Sequence, residues 1–206
     1  MQYSEIVDMA LSESDRSDNL EVTTHIDNML KLVEAKMNRV LIAQKMSSII
    51  TVPCVSLQQV YSLPADYLSL KDIYNQDAVL RTGKQEYSYT SPEQIANAST
   101  NNALGSYYTL VNNALQIWPP LDNTRSLVLT YYSRIVPLTS TNTTNWMSLL
   151  NPDCYVFGLV MEICAFVKSF DAAMAWKTRF EEVLGDIDLQ DAKSTWSGPA
   201  LTTKRG

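Results

Sequence analysis

The sequence predicts an α+β fold, mainly α: a helical bundle built from the N- and C-terminal helices, an inserted β-rich lobe and an extended C-terminal tail. Three observations predict it. Apolar residues recur at helical spacing near both ends, as in Ile26, Met29, Leu30, Val33, Met37, Val40 and Leu41. Between about residues 48 and 138 that period gives way to β-branched and aromatic runs separated by turn residues. After Ser194 no periodicity is left. Because the helical segments lie on both sides of the β-rich stretch, one bundle made from both ends with the lobe inserted is the simplest solution. The expected layout is one domain over 1–193, with helices across 2–46 and 152–193, an insertion at about 48–138, and an arm over 194–206.

A short helix is expected from Gln2 to about Ser12. Ser17-Asp18-Asn19 is a turn and cap cluster, and "LEVTTHIDNMLKLVEAKMNRVLIAQKM" reads as one long amphipathic helix with Lys31, Glu34, Lys36 and Arg39 off its apolar side. From Ser48, "IITVPCVSLQQVYSLP" is strand-forming, and Pro53 puts that strand at a sheet edge or a bulge. "YLSLKDIYN" and "AVLRTG" are expected strands with a turn between them. "SPEQIANAS" is a short helix capped by Ser91 with Pro92 at its first position. "SYYTLVNNALQIWPP" is a hairpin turning at Asn112-Asn113, and "SLVLTYYSRIVPL" a further strand. "TSTNTTN", Thr139 to Asn145, is a loop.

"NPDCYVFGLVMEICAFVKSF", Asn151 to Phe170, is the most apolar stretch, with Glu162 the only charge between Cys154 and Val167. A membrane span needs about 20 apolar residues, and shorter runs are more often buried helices. Asn151 can cap, Pro152 suits the first turn, and Asp153 meets the positive end of the helix dipole. Val156, Leu159, Val160, Ile163, Val167 and Phe170 form a stripe that Phe157, Met161, Cys164 and Ala165 widen to nearly the full circumference. A helix apolar on almost every side is packed on almost every side, within the fold or between subunits. Asp171 starts another helix with Trp176, Phe180, Val183 and Leu184 along one side, which Gly185 ends or loosens. "STWSGPALTTKRG" then reads as an extended tail.

Composition bounds the function. The chain has 206 residues, 46% of them hydrophobic, and a net charge of −6. That is ordinary for a globular protein, and it lacks the basic footprint of a nucleic-acid binder. The N-terminus has no basic start, and Glu5 and Asp8 break its apolar character, unlike a signal peptide. Cys54, Cys154 and Cys164 are an odd, small set that suits free thiols in a reducing cytosol. No basic residue or histidine adjoins Cys154 or Cys164 to lower a thiol pKa, so both read as small core residues.

No catalytic constellation emerges. His25 is the only histidine and lies on a helix, with no nucleophile or carboxylate beside it in a known arrangement. Six glycines form no phosphate-cradling loop, and no Cys/His spacing suits zinc. Glu181, Glu182, Asp186 and Asp188 cluster near a helix end and read as a solvated face. No catalytic residue, metal site or cofactor is expected.

The order of three segments resembles the head-to-tail adaptor (connector, or head-completion) proteins of tailed bacteriophages. They are "YSLPADYLSLKDIY", "LQIWPPLDNTRSLVLTYYSRIVPLT" and "NWMSLLNPDCYVFGLVMEICAFVKSFDAAMAWKTRFEEVL". The resemblance covers roughly Val52 to Leu189, and its most specific parts are "LPADYL", "IWPP", "YYSRIVPL" and "LLNPDCYVFGLVMEICAFV". It implies a structural virion protein, made in the host cytoplasm and located in the neck. Such proteins form a ring, usually twelve-fold, below the portal. They extend the channel through which double-stranded DNA passes without specific binding, and present a surface to tail or nozzle proteins. No membrane contact is implied. Their C-terminal segment lodges against portal subunits. Here that implies an arm with Trp196, Pro199 and Leu201 as apolar anchors and Lys204 and Arg205 as polar ends. The alternatives are another oligomeric phage neck or tail-completion protein, and a small enzyme whose site forms only in three dimensions.

Overall fold

The computed structural model describes residues 1–101 and 105–195. In chain order the elements are α1 (Tyr3–Glu13), α2 (Leu20–Val40), a 3-10 turn (Gln44–Met46), β1 (Ser47–Pro53), β2 (Val60–Ser62), β3 (Tyr67–Asp77), β4 (Gln85–Glu86), β5 (Ser88–Tyr89) and α3 (Pro92–Asn101). They continue as β6 (Tyr107–Val111), β7 (Ala114–Trp118), β8 (Arg125–Ser133), α4 (Trp146–Leu150), α5 (Pro152–Phe166) and α6 (Phe170–Thr195). The chain divides into a helical unit, Met1–Met46 with Ile135–Gly206, and a β-rich unit, Ser47–Arg134. Helix and strand together make the α+β fold that the two hydrophobic periods predict.

The helical unit is organised around α5. Cys154, Tyr155, Val156, Gly158, Leu159, Val160, Met161, Ile163 and Cys164 are all buried, which makes this stretch a core helix. Among the described residues no helix is long and apolar enough to cross a membrane. Helix α2 lays Ile26, Met29, Leu30, Val33 and Met37 against this core. Asn19 starts α2 by accepting the Glu21 and Val22 N–H groups at 3.0 and 3.2 Å, an N-cap that satisfies two otherwise orphaned donors. Lys36 on α2 reaches Glu162 on α5 at 2.6 Å.

Several expected boundaries move. Helix α2 stops at Val40, not near Met46, because Leu41 turns to extended backbone and buries completely. Ala43 and Met46 follow it inward, and the Asp191 carboxylate accepts the Gln44 N–H at 2.9 Å, so tertiary burial overrides helical continuation. Val40 is left exposed, off the core it was assigned to. Asn151 makes no side-chain cap; Asn145 caps the preceding α4, accepting the Ser148 N–H at 2.8 Å. The expected apolar stripe ends early, since Lys168 takes a left-handed conformation after α5 and Phe170 opens α6 facing solvent. Gly185 does not end α6, which runs on through Thr195, so Ser194 and Thr195 are helical and not part of an extended arm.

The β-rich unit holds two four-stranded sheets, in the orders β1-β8-β3-β4 and β2-β7-β6-β5. Strand β1 is an edge, the position Pro53 demands, because a proline cannot donate to a second neighbour. The β6–β7 hairpin turns at Asn112 and Asn113, both with positive φ (47° and 59°), as a type I′ turn requires. Ser91 caps α3 through the Gln94 N–H at 3.3 Å. The two sheets share a core of Cys54, Tyr61, Leu63, Ile73, Tyr87, Leu115, Ile117, Leu127 and Leu129. "AVLRTG" is a turn, contrary to its apolar look. Asp77 accepts the Val79 and Leu80 N–H groups at 2.9 and 2.7 Å, and this side-chain turn outcompetes strand pairing.

All three cysteines are buried and unpaired. Desolvation raises each thiol pKa, so none is a poised nucleophile. Titration of the denatured chain without reductant is expected to find three free thiols; one would mean that a disulfide has formed.

Candidate functional site

The sequence places Glu34 off the apolar side of α2. The structure buries it, leaving 5% exposed. Its Oε1 accepts the Leu138 N–H at 2.7 Å and the Tyr155 hydroxyl at 3.1 Å. Asn145 Nδ2 donates to that same hydroxyl and to the Val136 carbonyl, each at 2.7 Å. The Ile135 N–H donates to Asn38 Oδ1 at 2.9 Å. The irregular segment entering the bundle at Ile135 buries Ile135 and Leu138 and is further fastened to α2 and α5 by buried polar groups. No sequence pattern marks Glu34, because its partners lie more than 100 residues away.

Burial pushes the Glu34 carboxyl above its ordinary value of 4.5, while the Leu138 and Tyr155 hydrogen bonds and the charge of Lys31 pull the other way and lose. A carboxyl with a raised folded-state pKa keeps its full contribution to stability below the unfolded value and loses it as pH rises through the folded one. Glu34→Gln cannot titrate. The stability of the wild-type chain relative to Glu34→Gln is therefore expected to fall as pH rises above 4.5. Urea melts of both proteins across that range check it, and a difference independent of pH would refute the assignment.

The other polar candidates are dispersed. His25 is exposed on α2 with its ring 5.6 Å from that of Phe166. Glu181 pairs with Lys177 at 3.6 Å on the outside of α6, and Glu182, Asp186 and Asp188 are exposed as well. Among the described residues no group of His, Cys, Asp and Glu is arranged to hold a metal ion.

What the structure offers instead is surface for docking. In the β-rich unit, Leu57 is 83% exposed on a turn where its own φ is +66°, and Val79 and Leu80 are exposed on the turn that Asp77 holds. Strained, solvent-facing apolar residues at fixed turns are features of contact surfaces more than of folding. In the helical unit a groove of about 270 Å³ runs between Ala43, Trp146 and Leu150 on one side and Ile187, Asp191 and Ser194 of α6 on the other. The expected arm residues Trp196, Pro199, Leu201, Lys204 and Arg205 lie outside the described residues.

The sequence profile of the SU10 adaptor protein matches residues 1–203, both units included. The chain belongs to the SU10 adaptor protein family. This is a phage head-tail adaptor family, so the protein is a structural component of a virion. As a family member it interacts with other phage head and tail proteins. A comparison with curated proteins finds no match. The match extends well beyond the Val52–Leu189 segment that carries the resemblance, taking in α1, α2 and all but the last three residues of the chain.

Proposed function

We propose that this SU10-family adaptor forms a ring, twelve-fold, against the lower face of the portal. The ring extends the DNA channel and presents its opposite face to tail or nozzle proteins in the neck. The family match across both units is the observation that carries the reading. Three further features support it. Exposed apolar residues occur on both units, as a head-to-tail ring contact between unlike surfaces needs. The net charge of −6 suits a conduit that must not retain DNA phosphate. The C-terminal residues, with Trp196, Pro199 and Leu201 set among polar neighbours and Lys204 and Arg205 at the end, suit an arm that orders against portal subunits.

A heterologous contact closes into a ring only at a set angle, which the portal supplies as template. Light scattering of the isolated protein is expected to report a monomer. Mixed with portal rings of the same phage, it is expected to co-sediment with as many adaptor copies as portal subunits. No co-sedimentation would contradict the proposal, and a closed ring without portal would show that the template is dispensable.

A further inference from the structure

The groove of the helical unit has apolar side chains at its wall that the described residues leave uncovered. Leu150 on α4 is 60% exposed, and the Trp146 indole is half-buried beside it. Ile187 and Ala43 supply a buried apolar floor. The rim is polar: Lys45, Gln190, Asp191 and Ser194. An opening of about 270 Å³ with an apolar floor and hydrogen-bonding rim suits an aromatic side chain with one polar edge, which tryptophan is.

The place where α6 ends decides the occupant. Ser194, in its last turn, is itself a lining residue. Trp196 follows two positions later, and two residues of chain span at most about 7 Å. Trp196 is therefore within reach of the groove by chain length alone, and Pro199 and Leu201 follow it in the sequence. Charge agrees with this placement. Asp186, Asp188 and Asp191 outnumber Lys193 over the last three turns of α6, the helix's C-terminal carbonyls add to the negative charge, and the segment brings Lys204 and Arg205. Burial, and after it the nearby charge of Asp191, raises the Asp188 carboxyl pKa.

We propose that in the unassembled protein the C-terminal segment folds back onto its own chain and seats Trp196 in the groove between α4 and the end of α6. A tryptophan that close to an uncovered apolar wall gains by burial and orders few residues to reach it. The consequence for assembly rests on the arm–portal reading above. Trp196 cannot occupy the groove and the portal at once, so the groove holds the arm in reserve and lowers its apparent affinity by the fraction docked. It also keeps Trp196 from solvent until a portal is met.

The test uses the full-length chain labelled with 5-fluorotryptophan, whose four tryptophans give four fluorine resonances. Trp196→Phe assigns the one in question. In the wild-type monomer, the Trp196 resonance is expected away from the free-indole position and shielded from a soluble paramagnetic quencher. Leu150→Arg places a charge in the groove at an exposed position that the fold tolerates. It is expected to return Trp196 to the free-indole position and open it to the quencher. Trp146 should shift, while Trp118 and Trp176 stay put and report that the fold is intact. As a second variant, Trp196→Ala should shift Trp146 alone. A Trp196 resonance already exposed in the wild type, or shielded but indifferent to Leu150→Arg, overturns the inference. Shielding that vanishes on dilution also overturns it, by making the groove of a second copy the occupant. Because no portal is present, these outcomes stand whether or not the arm proves to bind one.

Discussion

Gly158→Leu abolishes cooperative folding of the helical unit. Gly158 sits in the middle of α5, where a Cβ would lie 2.6 Å from Val33 Cγ1 on α2 and 3.0 Å from Phe180 Cε2 on α6. Both neighbours are buried, and Val33 cannot swing away because a β-branched residue in a helix has essentially one χ1 rotamer. Even a methyl must push two helices apart. Gly158→Ala is therefore expected to lose more to overpacking, about 1–3 kcal/mol, than the roughly 1 kcal/mol it gains in helix propensity. A leucine has several more atoms to place where none fit. Gly185 is the control: it lies within α6 with nothing within 4 Å of its Cβ position, so Gly185→Ala is expected to stabilise by about 1 kcal/mol. Urea melts followed by circular dichroism measure all three. A Gly158→Leu chain as stable as the wild type would mean that α2, α5 and α6 do not pack as described.

Deleting residues 196–206 is expected to abolish co-sedimentation with portal rings and to leave the fold in place. The deletion begins at Trp196, since Ser194 and Thr195 complete α6. Among the described residues each unit has a buried core of its own, so the far-ultraviolet circular dichroism is expected to be unchanged. The melting temperature is expected to drop only slightly, through uncovering of the Trp146 and Leu150 wall. Trp196→Ala alone is expected to cost about 2 kcal/mol of portal affinity, the size of loss typical of a buried aromatic anchor. A truncated chain that binds portal as well as the full one would move the docking surface to the described residues, with the exposed turns at Leu57 and Val79 the first to mutate.

Periodicity made much of this fold legible. The core role of α5 follows from its unbroken apolar run, the β6–β7 hairpin from Asn112-Asn113, and the start of α2 from Asn19, because each signal is local. The misreadings share the opposite cause. Glu34 looks like a surface charge until Leu138 and Tyr155 arrive from more than 100 residues away. "AVLRTG" looks like a strand until the Asp77 carboxylate claims its N–H groups. Helix α2 ends at Val40 because Leu41 and Met46 find a core that the helical track misses. Helix α4 follows directly on the polar run Thr139 to Asn145, and its cap, Asn145, is paired with Ser148 and not with the glutamate or glutamine of a usual capping box. Docking surfaces are harder still to read, since an exposed leucine in a sequence is indistinguishable from a buried one.

Cryo-electron microscopy of the virion neck tests the central claim most directly. The account predicts a ring of this chain, twelve copies, in contact with the lower face of the portal, with the DNA channel passing through it and the C-terminal arm running up against portal subunits. Density that places the chain elsewhere in the tail, or a portal whose lower face meets a different protein, would contradict it.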